Sequence, residues 1–331
     1  MLQWSNYLLI SLFPVSIYWS MRRFGFDRII FAKGALVSSL GTTNGLYGFD
    51  FRSYIFAGWG LYAQLWAMVL LPLALAMSYR TLREGRGYLW AVLLLSTTLM
   101  SHLLYGYMAF ITLGILALVH SDQVSNPRSL AVAVWTNWRR LAILLLLVIA
   151  VASYFLVPFF LDLDYLNRSV WADPTRYYSY GHSVLLSSLI GGHLFDGFNR
   201  VPMLSILAAV GFAVCLLRWR DARYLVPKAI FLLWMMLYFG RPTWGSLVDL
   251  LPMSRDIHMN RFIGGVHLGG IFLIAVALAA PLRWAISRTS IWSGWYVTAA
   301  LTLTMLVLLP VYSDRASYLG GNTIGPRESR R

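Results

Sequence analysis

Residues 88–119 read YLWAVLLLSTTLMSHLLYGYMAFITLGILALV, an apolar run whose one charged or basic side chain is His102. As a single helix this run would be about 48 Å long at about 1.5 Å per residue. That overshoots a hydrocarbon core of about 30 Å. Two short spans turning at Ser101-His102 fit better. The side of every later connection depends on that turn. A single span would place Asp162, Asp164 and Asp173 in the cytoplasm and invert each basic loop that follows.

Outward from this run, apolar stretches recur at 4–20, 29–45, 58–78, 88–102, 105–119, 141–161, 202–217, 226–240, 262–282 and 291–312. The 331-residue chain is 59% hydrophobic and 12% charged, with a mean hydropathy of +0.64. An ordinary soluble domain carries about 25% charged residues. Strict alternation is absent and the runs are long, which argues against a closed β-barrel. The expected fold is an all-α polytopic transmembrane helical bundle of about ten spans. It forms one domain over 1–312, followed by a polar tail over 313–331 expected to be disordered.

With alternate connections assigned to one side, that side holds sixteen basic residues and four acids, and the other eleven and nine. Basic loops stay cytoplasmic, so the second face is extracytoplasmic in a multi-pass protein of the plasma (inner) membrane. The net charge of +14 comes from short clusters beside apolar spans: Arg22-Arg23, Arg80 to Arg86, Arg139-Arg140 and Arg218 to Lys228. That distribution indicates a lipid bilayer as partner and no nucleic acid. The single cysteine, Cys215, lies in an apolar run and excludes a disulfide framework or a thiolate metal site within one chain. Met1 to Ser20 lacks a basic n-region and reads as a span rather than a signal peptide. With Arg22, Arg23 and Arg28 cytoplasmic, Met1 starts outside, and the expectation is that one or more upstream spans are missing.

Two connections carry local structure of their own. The segment 121–140 ends in Trp135, Trp138, Arg139 and Arg140, which suits a helix lying in the cytoplasmic interface. The longest outer connection, 162–201, contains the apolar stretch Ser183 to Ile190, too short to span and expected as a re-entrant or interfacial helix.

Ionisable residues at membrane depth are costly, which makes them functional candidates. Candidate catalytic residues are Asp50, Asp162, Asp164 and His102. Asp162 and Asp164, two apart, would share a face of an extended segment and act as a base or hold a divalent cation. His102 interrupts an otherwise apolar run. Candidate phosphate-binding residues are Arg52, beside Asp50, and the group Arg255, His258 and Arg261. On a helix, His258 and Arg261 would face the same way and, with Arg255, form a cationic phosphate site. His267, one to two turns into the ninth span, reads as a satisfied packing residue. No phosphate-binding loop, dinucleotide fingerprint, zinc-protease helix or serine elbow occurs, so no soluble nucleotide donor is evident.

The block Phe239-Gly240-Arg241-Pro242-Thr243-Trp244-Gly245, then Leu250-Leu251-Pro252, then His258 and Arg261 to Leu268, resembles a family of bacterial multipass proteins. They are known as 6-pyruvoyl-tetrahydropterin-synthase-related membrane proteins. Leu70-Leu71-Pro72-Leu73 and Ser101-His102 add to the resemblance, which covers about 70–270. That family is similar to type-C glycosyltransferases. The resemblance implies a polyprenyl-phosphate sugar as donor and transfer to an acceptor on the extracytoplasmic face. It also implies a catalytic acid in the first outer loop; if upstream spans are missing, Asp50 belongs to a later loop. Two rival readings are a transporter or lipid flippase and a non-catalytic lipid-binding assembly subunit. The first needs polar groups at mid-membrane depth, whereas the charges of this chain lie near span ends.

Overall fold

The computed structural model describes residues 2–43, 48–49, 61–119, 127–165, 171, 173–197, 200–288 and 293–321. The helices are α1 (Leu2–Arg23), α2 (Arg28–Val37), α3 (Tyr62–Glu84), α4 (Tyr88–Ser101), α5 (Leu103–Leu116), α6 (Pro127–Leu161), α7 (Thr175–Tyr178), α8 (His182–Ile190), α9 (Met203–Leu217), α10 (Ala222–Phe239), α11 (Arg241–Trp244), α12 (Ile263–Ile286) and α13 (Ser293–Gly321). Short 3-10 turns cover Leu163–Tyr165, Gly245–Leu250 and Met259–Phe262. Among the described residues the extended pairing is one parallel bridge, Thr42 to Asp196. The described helices include five long and apolar enough to cross a membrane, and α4, α5 and α9 are shorter apolar helices. The chain is therefore an all-helical, multi-pass membrane protein.

The run 88–119 does turn back at His102. Arg83, in the last turn of α3, donates from Nη1 to the Val119 carbonyl at 3.1 Å. Both ends of the run thus lie at the arginine-rich end of α3. His102 is the one residue between α4 and α5, in extended conformation (φ −158°, ψ 112°). Its N–H donates to Thr98, and its carbonyl accepts from Tyr105 and Gly106, so it closes one helix and opens the next. The same arginine-rich end is tied further by Arg140, whose Nη1 donates to the carbonyls of Leu82 at 2.7 Å and Arg83 at 2.9 Å.

The bundle is organised round α12, which is buried from Ile263 through Ala279. Helices α2, α9, α10 and α13 pack against it, while α3 gathers α1, α4, α5 and α6. In α12, Gly265 faces the ring of Trp234, and a Cβ on Gly269 would stand 2.6 Å from the backbone of Phe231. Two glycines four apart thus let α10 approach closely. Trp234 joins the two groups, its Nε1 donating to Thr112 of α5 at 2.9 Å.

Three expectations are corrected. The interfacial helix expected over 121–140 is continuous with the next span: α6 runs unbroken from Pro127 to Leu161, with Trp135 and Trp138 exposed on it. No glycine or proline follows Pro127 before Pro158 to end the helix. The stretch expected over 29–45 is helical only to Val37; a turn at Ser38-Ser39 follows, and Thr42 forms the bridge to Asp196. Thr42 there donates its N–H to the Phe195 carbonyl at 2.9 Å. The tail expected from 313 is helical to Gly321, with Asp314 3.4 Å from Arg200. The short apolar helix expected near 183–190 is present as α8.

Candidate functional site

Arg261 lies in the 3-10 turn that leads into α12, at the end of the bundle opposite the arginine-rich one. Its Nη1 faces His102 Nε2 at 3.2 Å and Gln64 Oε1 at 3.4 Å. Gln64, buried in the first turn of α3, donates in turn to the Tyr105 hydroxyl at 3.2 Å. Phe49 stacks on Tyr105, with ring centroids 6.0 Å apart. The turn between α4 and α5, the start of α3 and the entry to α12 therefore meet at one guanidinium.

The contact decides the state of His102. A guanidinium only donates, so Nε2 accepts and the proton of the neutral ring is on Nδ1. That Nδ1 is buried and meets no partner among the described residues, and the same holds for the Tyr107 hydroxyl. Both residues line a cavity of about 470 Å³. Its polar wall is His102, Tyr107, Asp256, His258 and Arg261; the rest is apolar, including Phe110, Ile149, Leu156, Phe159 and Phe160. A mostly apolar cavity with a guanidinium and those two unpartnered donors in its wall suits an amphiphile with an anionic head.

His258 stands against Tyr177, ring centroids 4.7 Å apart and edge to face. Its imidazole is pulled down to about 4, first by burial and then by the Arg261 and Arg176 guanidiniums. His258 is accordingly neutral at pH 7, and the cation of this wall is Arg261.

The block 239–245 is held against the segment from Tyr178 to His182. Gly240 has φ +63°, and a Cβ there would run into the Tyr178 carbonyl. Gly181 donates to the Phe239 carbonyl at 3.0 Å, and Thr243 Oγ1 accepts from the His182 N–H at 2.7 Å. Arg241 pairs with Asp249 at 2.7 Å, which holds that carboxyl below its ordinary value.

No family model matches the chain, and no curated protein sequence matches it. Its course is similar to that of the Archaeoglobus fulgidus oligosaccharyltransferase, in the crystal structure of the apo form, with a TM-score of 0.43 and 12% sequence identity. The match covers 94% of this chain and 44% of that one, so this chain spans under half the length of that protein. No residue role is carried across at that level of similarity.

Of the sequence-predicted residues, the structure brings His102, His258 and Arg261 to one cavity. Arg255 is separated from them: it is exposed and lines a shallow hollow with Asp249, Ser254 and Asp256. Asp162 and Asp164 follow the end of α6, exposed, just after the cavity residues Phe159 and Phe160. Asp50 and Arg52 lie outside the described residues. His267 is the packing residue expected: Nδ1 accepts from the Phe49 N–H at 2.8 Å, and Nε2 faces the Leu194 carbonyl at 2.8 Å. Sequence reasoning assigned no role to Gln64 or Tyr107. Gln64 had a signal, an amide one turn into an apolar helix; Tyr107 had none.

Among the described residues no group of three or more metal-ligating side chains gathers. Asp162 and Asp164 are both exposed, and among the described residues no third carboxylate, histidine or cysteine joins them.

Proposed function

We propose that the protein is a membrane glycosyltransferase taking its sugar from a polyprenyl-phosphate donor at the extracytoplasmic face. The observation that carries this reading is the amphiphilic cavity. Arg261, the His102 Nδ1–H and the Tyr107 hydroxyl supply a cation and two donors for a phosphate. Leu103, Phe110, Ile149 and Leu156 supply an apolar bed for the prenyl chain.

The step is a substitution at the sugar's anomeric carbon. The acceptor oxygen forms the new bond, the bond from that carbon to the phosphate oxygen breaks, and its electron pair leaves with the phosphate. Arg261 and His102 stabilise the charge that develops there. The acceptor's proton goes to a carboxylate. Asp256 is in the cavity wall, and Asp162 and Asp164 follow Phe160 by two and four residues. Asp50 remains a candidate for the same role.

The test uses purified protein in lipid nanodiscs with a panel of radiolabelled polyprenyl-phosphate hexoses. Transfer or donor hydrolysis by the wild type, lost in Arg261→Ala, is expected. Wild-type turnover by Arg261→Ala would overturn the assignment. Polyprenyl-phosphate binding that depends on Arg261, with no turnover of any donor, would identify a lipid-binding subunit instead.

A further inference from the structure

A second concavity, of about 650 Å³, lies between α1, α3 and α4 and shares no residue with the cavity of His102. Trp19, Trp66 and Trp90 stand among its walls, with Leu9, Leu12, Val15, Leu73 and Met77 between them. The groove extends along α1 from Leu9 to Arg23, about 21 Å at about 1.5 Å per residue. That exceeds one leaflet's half of a core about 30 Å thick.

Its polar groups are unevenly placed. Ser16 is engaged, its Oγ donating to the Val69 carbonyl at 2.6 Å. Arg23 lies at the arginine-rich end of the bundle, its guanidinium 4.6 Å from the centroid of Trp19. No ion pair joins it to a carboxylate among the described residues. The neighbouring Asp27 pairs with Arg283 at 3.1 Å. The occupant therefore needs an apolar body along the groove and an anionic end at Arg23. A packed helix is disfavoured, since helices associate in membranes over small residues, and this groove is walled by tryptophan and leucine.

We infer that the groove between α1, α3 and α4 is a binding site for an anionic phospholipid of the leaflet at the arginine-rich end. The lipid's phosphate meets Arg23 and an acyl chain lies along Trp19, Val15 and Leu12. Basic pockets between spans at the cytoplasmic side recognise anionic headgroups in this way.

The experiment is native mass spectrometry of the full chain with equal amounts of dioleoylphosphatidylglycerol and dioleoylphosphatidylcholine. The wild type should retain phosphatidylglycerol preferentially. Arg23→Gln should lower that retention about fivefold, the ratio expected for one basic residue near an anionic leaflet, and leave phosphatidylcholine unchanged. Val15→Trp, at a half-exposed position in the groove, should lower retention of both lipids, and it carries the test if Arg23→Gln does not fold. Arg139→Gln removes an exposed charge at the same end, outside the groove, and should change nothing. Equal retention of the two lipids by the wild type would overturn the inference, as would equal losses in Arg23→Gln and Arg139→Gln. Cross-linking from Leu12 to a second copy of the chain would also overturn it.

Discussion

Arg261 Nη1 donates to His102 Nε2 across 3.2 Å, joining the entry to α12 to the single residue between α4 and α5. One contact therefore aims the cation of the cavity and fixes which nitrogen of the histidine carries the proton. Arg261→Ala should weaken polyprenyl-phosphate binding about a hundredfold, the usual scale for truncating a buried charged partner. Arg261→Lys should fall between, because an ammonium keeps the charge and loses the planar fork. Titration with the lipid phosphate in nanodiscs checks both, and equal affinities for the lysine and alanine variants would contradict the role of Arg261 as the cation that meets the phosphate.

His102→Asn retains a side-chain acceptor and donor near the same place, whereas His102→Phe keeps only the bulk. If Nδ1–H serves the ligand, Asn should keep most of the binding and Phe should lose about tenfold, the cost of one charge-assisted hydrogen bond. The comparison is read from the same titration, with melting temperatures to show that both variants fold.

His258 makes stability depend on pH. Its folded-state value is depressed to about 4 by burial and the two arginines, against about 6.5 for an unperturbed histidine. The unfolded chain therefore binds the extra proton first as pH falls. This residue's contribution is fully present above about 6.5 and is lost as pH drops toward about 4. The melting temperature of the wild type should fall more steeply over that window than that of His258→Asn. Parallel slopes for the two would show that the histidine is not held neutral.

Gly269 tests the close approach of α10 to α12. A side chain there meets the Phe231 backbone, which has nowhere to move in a buried helix pair. Gly269→Leu should cost about 3 kcal/mol from overpacking, read as a lowered melting temperature in detergent; an unchanged transition would refute the packing.

Asp196 ties the connection after α8 to the start of α9. It is buried and accepts from the N–H groups of Leu204 and Ser205, from Ser205 Oγ, and from Arg200 Nε at 3.2 Å. Removing it strips the two backbone donors of their acceptor and takes one carboxylate from Arg200, which keeps Asp314 and the Leu40 and Phe195 carbonyls. Asp196→Ala should cost about 3 kcal/mol or more, seen as lower thermal stability and faster cleavage within 173–197.

The turn at His102 was legible because a single helix there overshoots the hydrocarbon core and inverts every later basic loop, and the histidine marks the break. His258 and Arg261 were legible as polar groups next to a long apolar run. The spacing argument failed for Arg255, since an irregular loop before the 3-10 turn points it into a different hollow. Tyr107 comes to the cavity from α5 and Gln64 to Arg261 from α3, elements distant in sequence from 258–261. Their convergence is a fact of packing, which no local pattern encodes. The continuity of α6 was missed because aromatic and basic residues near a membrane surface are equally compatible with a helix lying flat and one running straight through it.

Fourteen residues give each of α4 and α5 about 21 Å of length, against a hydrocarbon core of about 30 Å. A hairpin that begins level with one face of that core folds back before it reaches the other. On that measure His102 stops short of the second face, level with acyl chains rather than headgroups. A lipid-borne ligand would glide in sideways from the leaflet, and anything water-borne would have to come down to meet it.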